Sequence, residues 1–372
     1  MSWISAEAAL LRLGTKPQTL YANVSRGRIA ARPDPADPRR SLYREEDVER
    51  LAARPRGRRR SALVAAEAIA WGEPVLETAI STVRAGRLLF RGVDAAALAE
   101  RDTLEAVAAL LWPSPQTPDF SSATGAARPG IAAAYRAIAE RAATDMPVIG
   151  RARAVLLGDA AGCVAALAGA LAGPGDGPVH QRLARQWGRR DAEGPIRAAL
   201  VLLAEHELNA STFAARVAAS TGAPLASAVM AGLAALSGPL HGSASQTMAG
   251  LVEAARRLGP EAAVAAHLRL GQPLPCFGHR LYGQGDVRAE ALLARFEAPP
   301  LFTALAEAGT RLSGEKPNID FALVALGAAF TLPEDAPLHL FALARSVGWL
   351  AHALEQGETG TLIRPRARYV GV

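Results

Sequence analysis

The sequence predicts a mainly α-helical protein, and three observations carry the prediction. Half of the 372 residues are hydrophobic but only 5% are aromatic, so the core must be built mostly from Ala, Leu and Val, whose small side chains let helices approach closely. Apolar residues recur at 3.6-residue spacing through segments broken at Gly and Pro. Strand signals are few, with one short ribbon expected at Gly86 to Arg91, GRLLFR. A chain of this length with a fifth of its residues charged can hold two or three domains and a large buried core, which excludes a disordered or fibrous protein.

The first element is a helix from Ala6 to Leu13 capped by Ser5. Gly14-Thr15 then turns the chain, and Thr15 caps a second helix from Lys16 to Ser25. A Pro/Asp-rich stretch, Arg32 to Arg40, is expected to form the loop of a small hairpin, and a third amphipathic helix covers Arg44 to Ala53. This order resembles the small winged helix-turn-helix domains of the excisionase and MerR-like group. TLYANVSRGRI would be the recognition helix and its exit, and LYREEDVERL would follow the wing. The resemblance implies that Lys16, Gln18, Thr19, Asn23 and Arg26 face a DNA groove and that Arg28, Arg39 and Arg40 meet phosphates. Leu10, Leu13, Leu20 and Val24 would form the small core.

Charge agrees with that placement. Residues 1–60 hold 14 Lys and Arg against 7 Asp and Glu, so the basicity of a chain with net charge +6 is local to this end. The competing reading is a solvated basic helical hairpin acting only as a dimer arm. Arg54 to Arg60, RPRGRRR, reads as a basic linker with non-specific phosphate affinity.

From Ser61 onward, helices are expected at Leu104 to Leu111, Ile131 to Ala143, Ala152 to Leu171 and Pro195 to Glu205. The uncharged run Val217 to Leu240 that follows is long enough to span a bilayer, but its Ala, Gly, Ser, Thr and Pro content is far less apolar than a Leu-rich span. It reads as one buried, closely packed helix, and no membrane partner is expected. Gly173 to Gly177, GPGDG, has no strand before it and no GK[ST] after it, so it reads as an interhelix turn and not a nucleotide loop. The N-terminus lacks the basic-then-apolar pattern of a secretory signal, and Cys163 and Cys276 allow at most one disulfide; both features fit a reducing cytoplasm.

The chemistry-bearing phrases lie in the C-terminal half: EHELNASTFAAR (Glu205 to Arg216), SGPLHGSASQ (Ser237 to Gln246), CFGHRLYGQGDVRA (Cys276 to Ala289) and KPNIDFAL (Lys316 to Leu323). Each sets His or Asp beside Gly, Pro or Asn, the signature of a polar group held on a turn or helix end. His241 precedes a helix from Ser243 to Leu258, whose dipole is expected to keep the imidazole neutral and able to donate to a developing enolate oxygen. The plainer alternative is a histidine filling a turn. Asp320 opens an apolar helix after Pro317-Asn318, and shielding by Phe321 and Leu323 would make it a stronger base than a carboxylate in water. It reads equally as an acid stabilised by the helix dipole. There is no HExxH or HxH spacing, so no metal is expected, and Cys276 near His279 reads as packing before it reads as a nucleophile.

Taken together and in this order, the four phrases resemble the citrate synthase family, over roughly Ser61 to Val372. LLFRGVDAAALAE (Leu88 to Glu100), ARSVGWLAHALEQ (Ala344 to Gln356) and IRPRARYVG (Ile363 to Gly371) extend the match. The resemblance implies a homodimer and a helical fold in two domains, a large one (residues 61–241 and 326–372) and a small one (242–325) that closes over substrate. It also implies a tricarboxylic acid cycle reaction, the condensation of acetyl-CoA with oxaloacetate, with no metal or redox cofactor.

By the same resemblance His241 stabilises the enol of acetyl-CoA, Asp320 removes the methyl proton, and His279 polarises the oxaloacetate carbonyl. His206 would bind oxaloacetate together with Arg288, Arg345 and Arg364, the last reaching in from the partner subunit, because guanidinium groups pair well with carboxylates. Two departures bear on CoA. The family's Val-Tyr-Lys is here Leu281-Tyr282-Gly283, and the shortened GEKPNID leaves Lys316 as the candidate CoA contact. The alternatives are a 2-methylcitrate synthase using propionyl-CoA, and a DNA-binding regulator whose synthase-like body senses metabolites.

Overall fold

The computed structural model describes residues 2–13, 17–25, 28–35, 37, 41–52, 76–239, 241–242, 244–367 and 369–371. The chain divides into two compact units, Met1–Glu77 and Thr78–Val372. The expected domain boundary between residues 60 and 61 and the basic linker Arg54 to Arg60 lie outside the described residues.

In the first unit, β1 (Trp3–Ser5), β2 (Ala31–Pro33) and β3 (Ser41–Arg44) form an antiparallel sheet in the order β1-β3-β2. Ile4 stands opposite Tyr43, and Arg32 opposite Leu42. Helices α1 (Ala6–Leu13), α2 (Pro17–Ser25) and α3 (Glu45–Ala52) complete the unit. Its core is Ala9, Leu13, Leu20, Ile29, Tyr43 and Val48, with Leu10 and Val24 packed at its edge. An ion pair between Arg12 and Glu45 ties α1 to α3, and the Asp47 carboxylate accepts the Ala30 N–H at 3.0 Å.

Of the residues expected to meet DNA, Thr19 and Arg28 are exposed, whereas Lys16, Arg26, Arg39 and Arg40 and the side chain of Gln18 lie outside the described residues. Asn23 departs from expectation. It is buried, with Nδ2 donating to the Thr19 carbonyl at 2.9 Å, because it sits three residues after Leu20 on the helix face that packs inward.

The second unit begins with β4 (Ser81–Arg84), β5 (Arg87–Phe90) and β6 (Val93–Asp94), paired in that order. The expected ribbon is a hairpin. Its two-residue turn, Ala85-Gly86, has φ of 51° and 75°, the doubly left-handed geometry that matches strand twist. Helices follow: α4 (Ala95–Arg101), α5 (Leu104–Leu111), α6 (Ile131–Thr144), α7 (Arg153–Ala172), α8 (Val179–Gln186), α9 (Glu193–Leu203), α10 (Ala210–Ser220), α11 (Leu225–Leu236), α12 (Ala244–Leu258), α13 (Pro260–Arg269), α14 (Val287–Leu293), α15 (Pro300–Ser313), α16 (Ile319–Ala329) and α17 (Ala336–Thr359).

The uncharged run Val217 to Leu240 is not one helix. Gly222, at φ 81°, and Pro224 break it between α10 and α11, and a Cβ at Gly222 would meet the Ile149 side chain at 2.3 Å. By length and composition α7 is apolar enough to cross a membrane, yet its Cys163, Val164, Leu167 and Leu171 are core residues.

The second unit holds two hydrophobic cores. The larger is built from the α4 to α11 region and from α17, a helix buried along most of its length. The smaller contains Met248, Leu251 and Val252 of α12, Val264 of α13, and Phe302 and Leu305 of α15. Helix α16 serves both, giving Ile319, Ala322, Leu323 and Leu326 to the larger and Phe321 and Ala325 to the smaller. A residue on its first turn therefore stands where the two cores meet.

Candidate active site

Two of the four phrases are laced together by backbone. Gly278 N–H donates to the Lys316 carbonyl at 2.8 Å and Asn318 N–H to the Cys276 carbonyl at 3.0 Å, while Asn318 Nδ2 donates to the Gly278 carbonyl at 3.1 Å. Asn318 also caps α16, its Oδ1 accepting from Asp320 N at 3.0 Å and Phe321 N at 3.4 Å. One asparagine thus holds the His279 loop against the helix that carries Asp320.

Asp286 makes the next join. Its carboxylate caps α14 through Arg288 N at 3.0 Å, binds the Arg288 guanidinium at Nε (2.9 Å) and Nη2 (2.8 Å), and accepts Ile319 N at 3.0 Å. Burial alone would raise this carboxyl, but Arg288 and the hydrogen bonds outweigh it and hold Asp286 below the usual range, so it stays ionised. A single buried charge aims the arginine and anchors the start of α16.

Asp320 is pushed up to about 6. Burial is the main cause and the like charge of Asp286 adds to it, against the opposing pull of Arg288 and Arg345. Although part of Asp320 opens to solvent, the carboxyl is enclosed enough for burial to dominate. Such a group is largely ionised at pH 7 yet more basic than an ordinary aspartate.

The three histidines are all neutral at pH 7. Burial, then Arg345, lowers His241 to about 4; burial, then Arg288, lowers His279 to about 4; burial lowers His206 well below its usual value. For His241 the causes are therefore burial and a nearby cation, where a helix dipole was expected. Leu281 N–H donates to His279 Nδ1 at 3.2 Å, so neutral His279 carries its proton on Nε2. His241 Nε2 lies 2.8 Å from Ser211 Oγ, which also accepts Trp349 Nε1–H at 3.1 Å. The Ser211 hydroxyl has one proton for two acceptors, Asn209 Oδ1 at 2.8 Å and His241 Nε2. When it goes to Nε2, the ring proton of His241 sits on Nδ1.

Around these groups His206 and His279 stand edge to face with centroids 5.0 Å apart. Arg345 is buried over the Phe341 ring, its Nε donating to the Leu203 carbonyl at 2.8 Å, and its Nη2 has no hydrogen-bond partner among the described residues. Burial brings Arg345 down to about 10, which leaves it charged. A buried guanidinium nitrogen without a partner suits an incoming carboxylate.

The fold thus gathers His206, His241, His279, Arg288, Asp320 and Arg345, and leaves two expected residues apart. Arg364 is exposed in the segment after α17, and among the described residues no hydrogen bond or ion pair joins it to this cluster. Lys316 is exposed and bonded to Glu290 at 3.3 Å. Sequence reasoning passed over Ser211, Tyr282, Asp286 and Trp349. Each lies inside a phrase already singled out, and spacing alone does not show that it supports a neighbour. Among the described residues no cluster of three or more His, Cys, Asp and Glu could hold a metal ion.

Residues 171–366 match the family model described as "Citrate synthase, C-terminal domain". Over 185 residues the chain is 39% identical to the citrate synthase of Haloferax volcanii, a match covering 46% of this chain and 49% of that protein. Over 184 residues it is 36% identical to 2-methylcitrate synthase 1 of Corynebacterium glutamicum, covering 46% and 48%. The chain spans about half the length of the curated relatives it matches. Its fold is similar to the crystal structure of citrate synthase from Thermotoga maritima, at 26% identity and a TM-score of 0.66, over 81% of this chain and 94% of that one.

Proposed function

Because the chain belongs to the citrate synthase family, we propose that it condenses acetyl-CoA with oxaloacetate and water to give citrate and CoA. The observation that carries this reading is a carboxyl raised to about 6 that shares two buried guanidinium groups, Arg288 and Arg345, with three neutral imidazoles. Asp320 takes a proton from the methyl group of acetyl-CoA, and the C–H electrons form the enol double bond. His241, with its proton on Nδ1, donates to the thioester oxygen that gains charge. The enol carbon attacks the oxaloacetate carbonyl carbon, forming the new C–C bond, the C=O π electrons move onto oxygen, and that oxygen takes the His279 Nε2 proton to become the alcohol. Water then cleaves the citryl-CoA thioester and releases CoA.

Arg288, Arg345 and His206 bind the oxaloacetate carboxylates, and Arg364 completes the site of the partner subunit in a homodimer. The smaller core, around α12 to α16, is the part that closes over substrate, with Lys316 towards CoA. Propionyl-CoA differs by one methyl, a discrimination of about 1–3 kcal/mol, so 2-methylcitrate formation is the neighbouring reaction. Following CoA release with oxaloacetate and each acyl-CoA tests both. Asp320→Ala is expected to lower turnover by about two to four orders of magnitude, and near wild-type turnover would remove Asp320 from the chemistry.

A second reading concerns the first unit, and its concentrated positive charge favours it. We propose that this unit is a helix-turn-helix module that binds DNA through α2 and the β2–β3 hairpin, with Thr19 and Arg28 among its contacts. A folded protein that binds oxaloacetate but releases no CoA would favour a metabolite-sensing regulator over an enzyme.

A further inference from the structure

Tyr282 occupies the centre of the proposed oxaloacetate site, and none of the roles argued above uses it. It is 3% exposed. A turn after His279 places it, with Tyr282 N–H donating to the His279 carbonyl at 3.0 Å and Gly285 N–H to the Tyr282 carbonyl at 3.0 Å. Its ring touches three of the site's residues: His279 at 4.9 Å between centroids, His206 at 5.6 Å, and the Arg288 guanidinium carbon 5.4 Å from its centroid. Its hydroxyl lies 2.9 Å from His206 Nε2.

We propose that Tyr282 is a positioning residue that sets the tautomer of His206, its hydroxyl donating to Nε2 so that the ring proton sits on Nδ1. This rests on His206 being an oxaloacetate ligand, as argued above. A phenol is the better donor of the pair and an imidazole nitrogen the better acceptor, and both groups are neutral because burial raises the phenol and lowers the imidazole. With Nε2 engaged, His206 meets substrate only through Nδ1–H, as a donor suited to a carboxylate or carbonyl oxygen. The aromatic ring meanwhile lies against the Arg288 guanidinium that Asp286 holds as its ion partner.

The test is Tyr282→Phe in the full-length protein, which keeps the ring and removes the hydroxyl. Loss of one neutral buried hydrogen bond is expected to raise the oxaloacetate KM about five- to tenfold while kcat changes less than about threefold. In ring-¹⁵N-labelled protein the His206 Nε2 resonance should be of the acceptor type in the wild type and shift towards the N–H type in the variant. An unchanged KM in a folded variant, or a wild-type His206 already protonated on Nε2, would overturn the proposal. In a His206→Gln background the Phe substitution should add no further rise in KM, and a full additional rise would mean that Tyr282 acts by another route. If wild-type protein shows no turnover the proposed reaction fails, and the ¹⁵N measurement still decides the role of Tyr282.

Discussion

The chemical role proposed for Asp320 comes at the expense of stability. Its carboxyl titrates near 6 in the fold against an ordinary aspartate value of 3.8. The raised value means that the folded state prefers the protonated form, so stability is fully present below the unfolded pKa and declines as pH rises through about 6. Activity in the proposed reaction runs the other way, because the proposed base must be ionised. The CoA-release rate is therefore expected to fall about tenfold per pH unit below about 6, with His241 and His279 starting to protonate only near 4. Asp320→Asn should be inactive yet raise Tm at pH 8 and leave it nearly unchanged at pH 4, a contrast read by thermal unfolding at the two pH values. A Tm that does not respond at pH 8 would mean that the carboxyl is not held in the environment described.

At the scale of elements, the site depends on how helix beginnings are capped. Asn318 and Asp286 each combine a cap with a long-range bond, the first holding the Gly278 carbonyl and the second the Ile319 N–H. Asn318→Ala removes the cap of α16 and the bond that fastens the His279 loop to it. The expected cost is about 1–2 kcal/mol, seen as a lower Tm and a lower denaturant midpoint. Because the same bonds set the distance between His279 and Asp320, kcat should fall more than binding of oxaloacetate, which isothermal titration can measure separately. Equal losses in both would place the role of Asn318 in general stability.

For the whole molecule the questions are assembly and DNA. If Arg364 completes the partner's site, mixing Arg364→Ala with Asp320→Ala subunits should restore activity to about a quarter of wild type, since half of randomly mixed dimers contain both kinds and each has one intact site. No recovery after subunit exchange would place Arg364 in its own subunit's site, and full activity of Arg364→Ala alone would place it outside the chemistry. If the first unit reads DNA as part of a dimer, full-length protein should prefer a palindromic site with half-sites about one helical turn apart. Its affinity should decline steeply with salt while keeping that preference. Binding that ignores sequence and vanishes at moderate salt would reduce the unit to a basic arm.

The residues of one sequence stretch determine what is local. Helix positions such as Leu104–Leu111 and the hairpin near Gly86 follow from periodicity and turn chemistry. The identities of His206, His241, His279, Arg288, Asp320 and Arg345 follow from their phrases in order. Other properties arise between segments, where no local pattern records them. His241 meets Ser211 across 30 positions of sequence and Ser211 meets Trp349 across 138, and the hydrogen bonding of His241 Nε2 is made only there. The inward turn of Asn23 and the identity of the charges that act on the raised carboxyl of Asp320, namely Arg288, Asp286 and Arg345, likewise depend on what each residue packs against. Chain-local rules specify which groups are present, while burial and long-range contacts determine their charge, tautomer and aim.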